Sequence, residues 1–500
     1  MRDPKIKIYN SKFVSFSLCL CVSVVSLFSS VLAQTENPPP PGAPRPVQVP
    51  KVQETSLPNG LKVVVVERKN VPLVTAQLLV LSGSSSEEDS LAGLANTTAS
   101  ILLKGTKTRT ATQIAEEMEF LGGNIDSAAG WNSSQVTINV TSDKLDKAMA
   151  IMADTILNPT FLPKEIELFK TQTLDELNVL LKQPGNLASF VASRYTFGEH
   201  TALGTPETIS KFNQSNLSAF YKANYTPKNS VLILTGDVSL QTANALAKKY
   251  FGIWKTPKSK MTSTTKITVS KEVNPSNNPV FKRILVIDLP NSGQAAVNYA
   301  KRLDFGRISE NSDYFSSIVA NTILGGGYSA RLNQEIRIKR GLSYGAGSSI
   351  TWRKMSNNIF ARAQTKNVSA AEVTELLAGE IGKLGADAAM QDELTARKLT
   401  LTGDFGRDLA TTGDLAARIA DLYTFGLKPD ELNTYIQNVQ KVSDAQVKNF
   451  AMQNIRGGDI IIVGDAKVFM DDLKKRFPNI KIEVIRADEL DLSKDNLRKN

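Results

Sequence analysis

The chain has 500 residues, a formal net charge of +10, one histidine and two cysteines. A single histidine excludes any mechanism built on a histidine pair, and two cysteines exclude Cys/His metal clusters. The basic residues are scattered among acids without the runs that mark a nucleic-acid surface, so no nucleic-acid partner is expected.

Residues 1–33 read as a secretory signal peptide. Arg2, Lys5, Lys7 and Lys12 precede an apolar stretch from Phe13 to Leu32, and Val31-Leu32-Ala33 fits the small-residue rule for cleavage. Against Asp3, the four basic residues give this segment +3 and leave +7 for the rest. The alternative is a retained anchor, since the apolar run is long for a leader. A membrane contact is expected only in that case. Cys19 and Cys21 leave with a cleaved leader, so the exported protein is expected without disulfides. Residues 34–51 form a proline-rich, extended spacer.

Residues 52–255 form the first domain in this reading. Leu57-Pro58-Asn59-Gly60 is a hairpin-type turn, with strand-like runs at 61–67 and 74–81. Helical stretches follow near 93–103, 111–121, 143–156 and 164–182, then a buried-strand run, Ser230 to Thr235, ending in Gly236-Asp237. Residues 256–279 are rich in Lys, Ser, Thr and Asn and read as a linker.

The second domain, 280–487, opens with a strand at 283–290 and another at 295–301, then a helix near 312–324. It closes on Asp459 to Asp465, DIIIVGD, which echoes VLILTGD of the first domain and suggests an internal duplication. Strand runs mixed with helix runs predict an α+β fold.

The chemistry-bearing pattern is GLANTTASILLKGT, Gly93 to Thr106. It resembles the inverted zinc-peptidase signature His-x-x-Glu-His, whose flanks Gly93, Leu94, Ala95, Lys104, Gly105 and Thr106 retain. At the three chemical positions stand Asn96, Ala99 and Ser100. Two imidazoles one helical turn apart hold such a zinc, and the Glu takes a proton from its water. Asn is a poor ligand, Ala offers no base, and a Ser hydroxyl stays protonated at neutral pH.

Further words extend the resemblance over most of the chain beyond the leader and spacer: Leu121-Gly122-Gly123-Asn124, Leu157 to Phe161, Leu203-Gly204-Thr205, Phe220 to Pro227, Ile323 to Leu332, Gln334 to Arg337 and Arg340 to Tyr344. Together they resemble the pitrilysin and mitochondrial-processing-peptidase family. That resemblance implies two homologous α+β domains forming two half-shells around a chamber. It implies that Glu176, in Thr173 to Leu177, stands at a third zinc-ligand position, although one carboxylate cannot hold a catalytic zinc. It also implies that Arg337 and Tyr344 face a zinc across the chamber, bind substrate backbone and stabilise the tetrahedral intermediate. The plain alternatives are a pairing of Arg337 with Glu335 and a core position for Tyr344. His200, in Phe197 to Thr201, reads as a hydrogen-bonded loop residue. Gly325-Gly326-Gly327 reads as a helix stop, or as a segment near the substrate path.

This pattern predicts a non-catalytic subunit of an exported heterodimeric zinc peptidase, with the periplasm as the expected compartment. A zinc-bearing homologous partner supplies the metal, this chain supplies Arg337 and Tyr344, and a peptide is the substrate. No metal or catalytic residue is expected in this chain alone. A peptidase-like scaffold or peptide-binding protein with no catalytic role is the second reading. A serine hydrolase is the third, because Gly341-Leu342-Ser343-Tyr344-Gly345 spells G-x-S-x-G. A nucleophile elbow needs a strand before it, a helix after it and a later histidine, and no histidine follows Ser343.

Overall fold

The runs of four consecutive apolar residues in the central strands set the architecture. Val63 to Val66 and Ile460 to Val463 are fully buried, so both faces of each strand must be covered, since successive side chains point to opposite faces. In the computed structural model, which describes residues 50–256, 279–308, 313–387 and 389–499, these strands lie in two six-stranded sheets. The leader 1–33, nearly all of the spacer 34–51 and most of the linker 256–279 lie outside the described residues.

The first sheet contains β1 (Val52–Ser56), β2 (Lys62–Glu67), β3 (Leu73–Val80), β4 (Asn124–Ala129), β5 (Ser134–Thr141) and β6 (Ser230–Gly236) in the order β1-β2-β6-β3-β5-β4. The second contains β7 (Phe281–Asp288), β8 (Ala295–Leu303), β9 (Ser343–Thr351), β10 (Asn357–Thr365), β11 (Gly458–Gly464) and β12 (Ile482–Arg486) in the order β12-β7-β11-β8-β10-β9. Five strands of each sheet correspond in order and direction. β2 runs parallel to β6 and β7 to β11, and the remaining pairs among these five are antiparallel. The echoing words therefore occupy equivalent central strands, β6 and β11. The sixth strands differ: β1 joins antiparallel from the N-terminal side, and β12 joins parallel from the C-terminal side.

After β5 come helices Leu145–Leu157, Pro163–Leu180 and Pro184–Tyr195; after β10 come Ala370–Ala386, Gln391–Asp408 and Thr412–Phe425. The third helix of each set is exchanged. Pro184–Tyr195 packs on β8 and β11 of the second sheet, and Thr412–Phe425 packs on β3 and β6 of the first. Alternation then divides the strands between two mixed cores. Val63, Val65, Leu232 and Leu234 join one core with Ile461 and Val463. Val64, Val66, Val231 and Ile233 join the other with Leu415 and Ile419. Polar contacts follow the same exchange: Thr235 Oγ1 donates to Thr412 O at 2.7 Å and Thr196 Oγ1 to Asp459 Oδ2 at 2.9 Å. No helix among the described residues is long and apolar enough to cross a membrane.

Candidate functional site

The stretch that resembles the zinc signature forms helix Leu94–Ile101, which lies against β4 and β5. Gly93 starts it in the left-handed region, with φ of 93°. A Cβ there would come within 2.9 Å of Leu203 O and Gly204 Cα, so only glycine fits. The free amides of the first turn are met by Glu87, whose carboxylate accepts from Gly93 N at 2.7 Å and Ala95 N at 2.6 Å. Burial pushes the Glu87 carboxyl up to about 8 although these amides pull it down. His200 Nδ1 lies 3.5 Å from the Glu87 carboxylate and 3.2 Å from Thr201 O. Burial lowers the pKa of His200 and favours the neutral ring. His200 thus occupies a buried, hydrogen-bonded loop position.

Asn96 and Ser100 sit one turn apart and are half-buried, and Ala99 is fully buried. The Ser100 hydroxyl donates to Asn96 O at 3.0 Å, and Ser127 of β4 donates to Ala99 O at 2.7 Å. Glu176 is exposed on helix Pro163–Leu180, which packs against the degenerate helix. Among the described residues no three His, Cys, Asp or Glu side chains are grouped to hold a metal. One amide, one hydroxyl committed to its own helix and one exposed carboxylate do not fit a catalytic zinc, which takes three strong protein ligands.

The equivalent place in the second half carries a different surface. Helix Asp313–Leu324 ends at Gly325, where Gly325 N and Gly326 N both donate to Asn321 O, at 2.9 and 3.0 Å. A Cβ on Gly325 would fall 2.1 Å from Ser348 N of β9, so the glycine permits a close approach of the backbones. A π-helical segment, Asn333–Ile338, follows and carries Arg337. A bulge then distorts β9: Ala346 faces Ala363 and Ser343 faces Thr365, so Tyr344 and Gly345 stand opposite Gln364 alone. The corresponding β4–β5 pairing is regular.

The bulge lies at Tyr344, which is 92 % exposed. Its ring centre is 5.1 Å from the guanidinium carbon of Arg337, and that of Tyr328 is 5.0 Å away. These are cation–π distances. The two residues singled out in the sequence therefore meet, and Tyr344 is not a core aromatic. Arg337 does not pair with Glu335, whose carboxylate takes Lys339 at 2.9 Å and also Arg340. Lys339 and Arg340 hold the Glu335 carboxyl below its usual range.

Sequence reasoning missed Tyr328, an aromatic placed directly after Gly327 and 65 % exposed. It also missed the frame behind the cluster. Asn333, only 4 % exposed, donates Nδ2–H to Tyr328 O at 2.6 Å, and its Oδ1 accepts from Ala346 N at 3.3 Å. Arg397 donates to Ser329 Oγ and O at 2.9 and 2.5 Å, and Arg331 grips Glu393 at 3.0 and 2.7 Å. Ser343 bonds within its own turn, donating to Gly345 O at 2.7 Å. It follows a helix and opens a strand, the reverse of a nucleophile elbow.

Comparisons with known proteins agree with this architecture. Residues 62–203 match the family described as Insulinase (Peptidase family M16), and residues 211–401 match Peptidase M16 inactive domain. An uncharacterized zinc protease of Mycobacterium leprae is 26 % identical over 413 residues, covering 80 % of this chain and 89 % of that protein. A peptidase M16 inactive domain from Pseudomonas fluorescens has a TM-score of 0.74 at 25 % identity, covering 83 % of this chain and 98 % of that one. The first half of the periplasmic protease PqqL from Escherichia coli has a TM-score of 0.63 at 17 % identity, covering 87 % of this chain and 98 % of that half. Against whole PqqL the TM-score is 0.65 at 16 % identity, with 88 % of this chain and 52 % of PqqL covered. Two such domains in sequence place this chain in the M16 peptidase family as a peptidase-like protein.

Proposed function

We propose that this chain is the non-catalytic subunit of an exported two-chain zinc peptidase. It supplies Arg337 and Tyr344 to a partner that carries the intact zinc motif. The observation that carries the reading is the asymmetry between the two sites. The zinc-helix positions hold no competent ligand set, while Arg337 and Tyr344 converge on an exposed surface. Because this chain covers nearly all of one PqqL half and about half of the whole, a second chain of the same fold is the natural complement. Export follows from the leader-like residues 1–33, and the periplasmic origin of PqqL supports it.

In such a complex the partner's intact zinc motif would hold the metal, which would supply the activated water. On this chain the guanidinium and the phenol donate hydrogen bonds to the carbonyl oxygen as it gains charge. Their permanent or fixed dipoles need no reorganisation, which is what lowers the barrier. Co-expression with a zinc-motif homologue from the same genome tests the reading. Co-elution of the two chains, with peptide hydrolysis that neither chain gives alone, supports it. A stable complex that stays silent on a broad peptide pool contradicts it and leaves a peptide-binding scaffold.

A further inference from the structure

We infer that Tyr328, Arg337 and Tyr344 form a clamp for a peptide carboxylate. This rests on the reading of the surface as peptide-facing, and not on the partner's zinc.

The first argument is charge. Among the described residues no carboxylate or carbonyl accepts a hydrogen bond from the Arg337 guanidinium, and its neighbours are two exposed phenol rings. The acid two positions away, Glu335, is taken by Lys339 and Arg340. A permanent cation is thus left with its donors open. A planar guanidinium fork matches the two oxygens of a carboxylate, and such charge-assisted pairs are roughly twice as strong as neutral ones.

The second argument is rigidity. Asn333 fixes the backbone on both flanks of the cluster, at Tyr328 O and Ala346 N, and Arg397 fixes Ser329 beside Tyr328. Rings at 5.0 and 5.1 Å limit the rotamers open to Arg337. Less conformational freedom is then lost on binding.

The third argument concerns which anion is present in the ground state. An internal amide carbonyl carries a full charge only in the tetrahedral state, which this chain's own helix cannot generate. A carboxylate carries its charge before any reaction. It has two sources in a peptide, the C-terminus and an Asp or Glu side chain.

The test uses the purified full chain and N-terminally labelled pools of random nonapeptides, read by fluorescence anisotropy. One pool carries a free C-terminal acid, a second a C-terminal amide, and a third the amide with Glu as its last residue. The first two pools exclude Asp and Glu elsewhere. The acid pool is expected to bind at least about tenfold more tightly than the amide pool. That preference should disappear in Arg337→Ala, at a half-buried position, and shrink in Tyr328→Ala, at an exposed one, with unchanged circular dichroism as the check on folding. Binding of the third pool equal to the acid pool supports the clamp and assigns side-chain carboxylates as ligands; binding at the amide level supports it and assigns the C-terminus. Equal binding of acid and amide pools, no binding of any pool, or a preference that survives Arg337→Ala overturns it. An active two-chain complex with no acid preference sinks the clamp alone. A clear acid preference in a chain that never activates a partner sinks the catalytic reading alone.

Discussion

Arg353 of the second half lies over Trp131 of the first, its guanidinium carbon 3.9 Å from the ring centre. The same Arg353 pairs with Glu199, and the His200 ring lies 5.0 Å from the other partner in the stack, Trp131. Lys354 N donates to Asn132 Oδ1 at 3.0 Å beside it. The two halves are thus joined by side chains at this corner as well as by the exchanged helices.

Such joining predicts cooperative unfolding. Leu415 is fully buried in a mixed core with Val64, Val66, Val231 and Ile233 of the first sheet. Leu415→Ala should cost about 2–5 kcal/mol through lost burial and a cavity. Amide exchange should accelerate in β3 and β6 as well as in the second half. Acceleration confined to the second half would contradict the shared core.

Asn333 is predicted to matter more than its size suggests. Asn333→Leu leaves Tyr328 O and Ala346 N without their partner. A buried polar group left bare costs about 1–3 kcal/mol. Urea denaturation should show a loss in that range. A change below about 0.5 kcal/mol, the size of an ordinary surface substitution, would mean that solvent replaces both bonds.

Glu87 gives a pH-dependent prediction. Its carboxyl is raised from 4.5 to about 8, mainly by burial. Between those values the unfolded chain ionises while the folded chain keeps its proton, so this contribution to stability is lost as pH rises through the window. His200 works in the opposite sense: its pKa is lowered by burial, so its contribution is lost as pH falls below 6.5. Urea midpoints at several pH values between 5 and 8 should therefore diverge. Relative to Glu87→Gln, which removes the titration and keeps an acceptor oxygen for only one of Gly93 N and Ala95 N, the wild-type chain should lose stability towards pH 8. Parallel profiles for the two proteins would contradict the assignment.

The degenerate helix can be tested by restoring its ligands. Asn96→His with Ser100→His places two imidazoles one turn apart on a half-buried face, with Glu176 on the packed neighbouring helix. Metal analysis of the gel-filtered variant should find bound zinc, which Glu176→Ala in that background should deplete. A folded double variant that takes up no zinc would show that this face no longer converges on a metal position.

Much of this molecule was readable from residues alone. Continuous apolar runs gave β2, β6 and β11, and the long helix expected over 164–182 is found at Pro163–Leu180, carrying Glu176. The family resemblance, rather than any pattern in the residues themselves, implied a joint role for Arg337 and Tyr344, and the two side chains do meet. The exchange of Pro184–Tyr195 and Thr412–Phe425 was not readable, because an amphipathic stripe says that a helix is covered and not by which sheet. The exposure of Tyr344 depends on one extra residue in β9, which alternation rules do not anticipate. Asn333 escaped notice because a lone Asn in a helical stretch carries no pattern. Its role comes from bonds to residues 5 and 13 positions away.

The most direct measurement is kcat/KM for a quenched peptide, with this chain reconstituted with a zinc-motif homologue, comparing wild type with Arg337→Ala plus Tyr344→Phe. The split-site account predicts silence from this chain alone, activity from the pair, and a loss of roughly a hundredfold or more in the double variant, carried mainly by kcat, as for removal of oxyanion donors. An unchanged kcat/KM in a verified complex would contradict it and leave this chain as a scaffold.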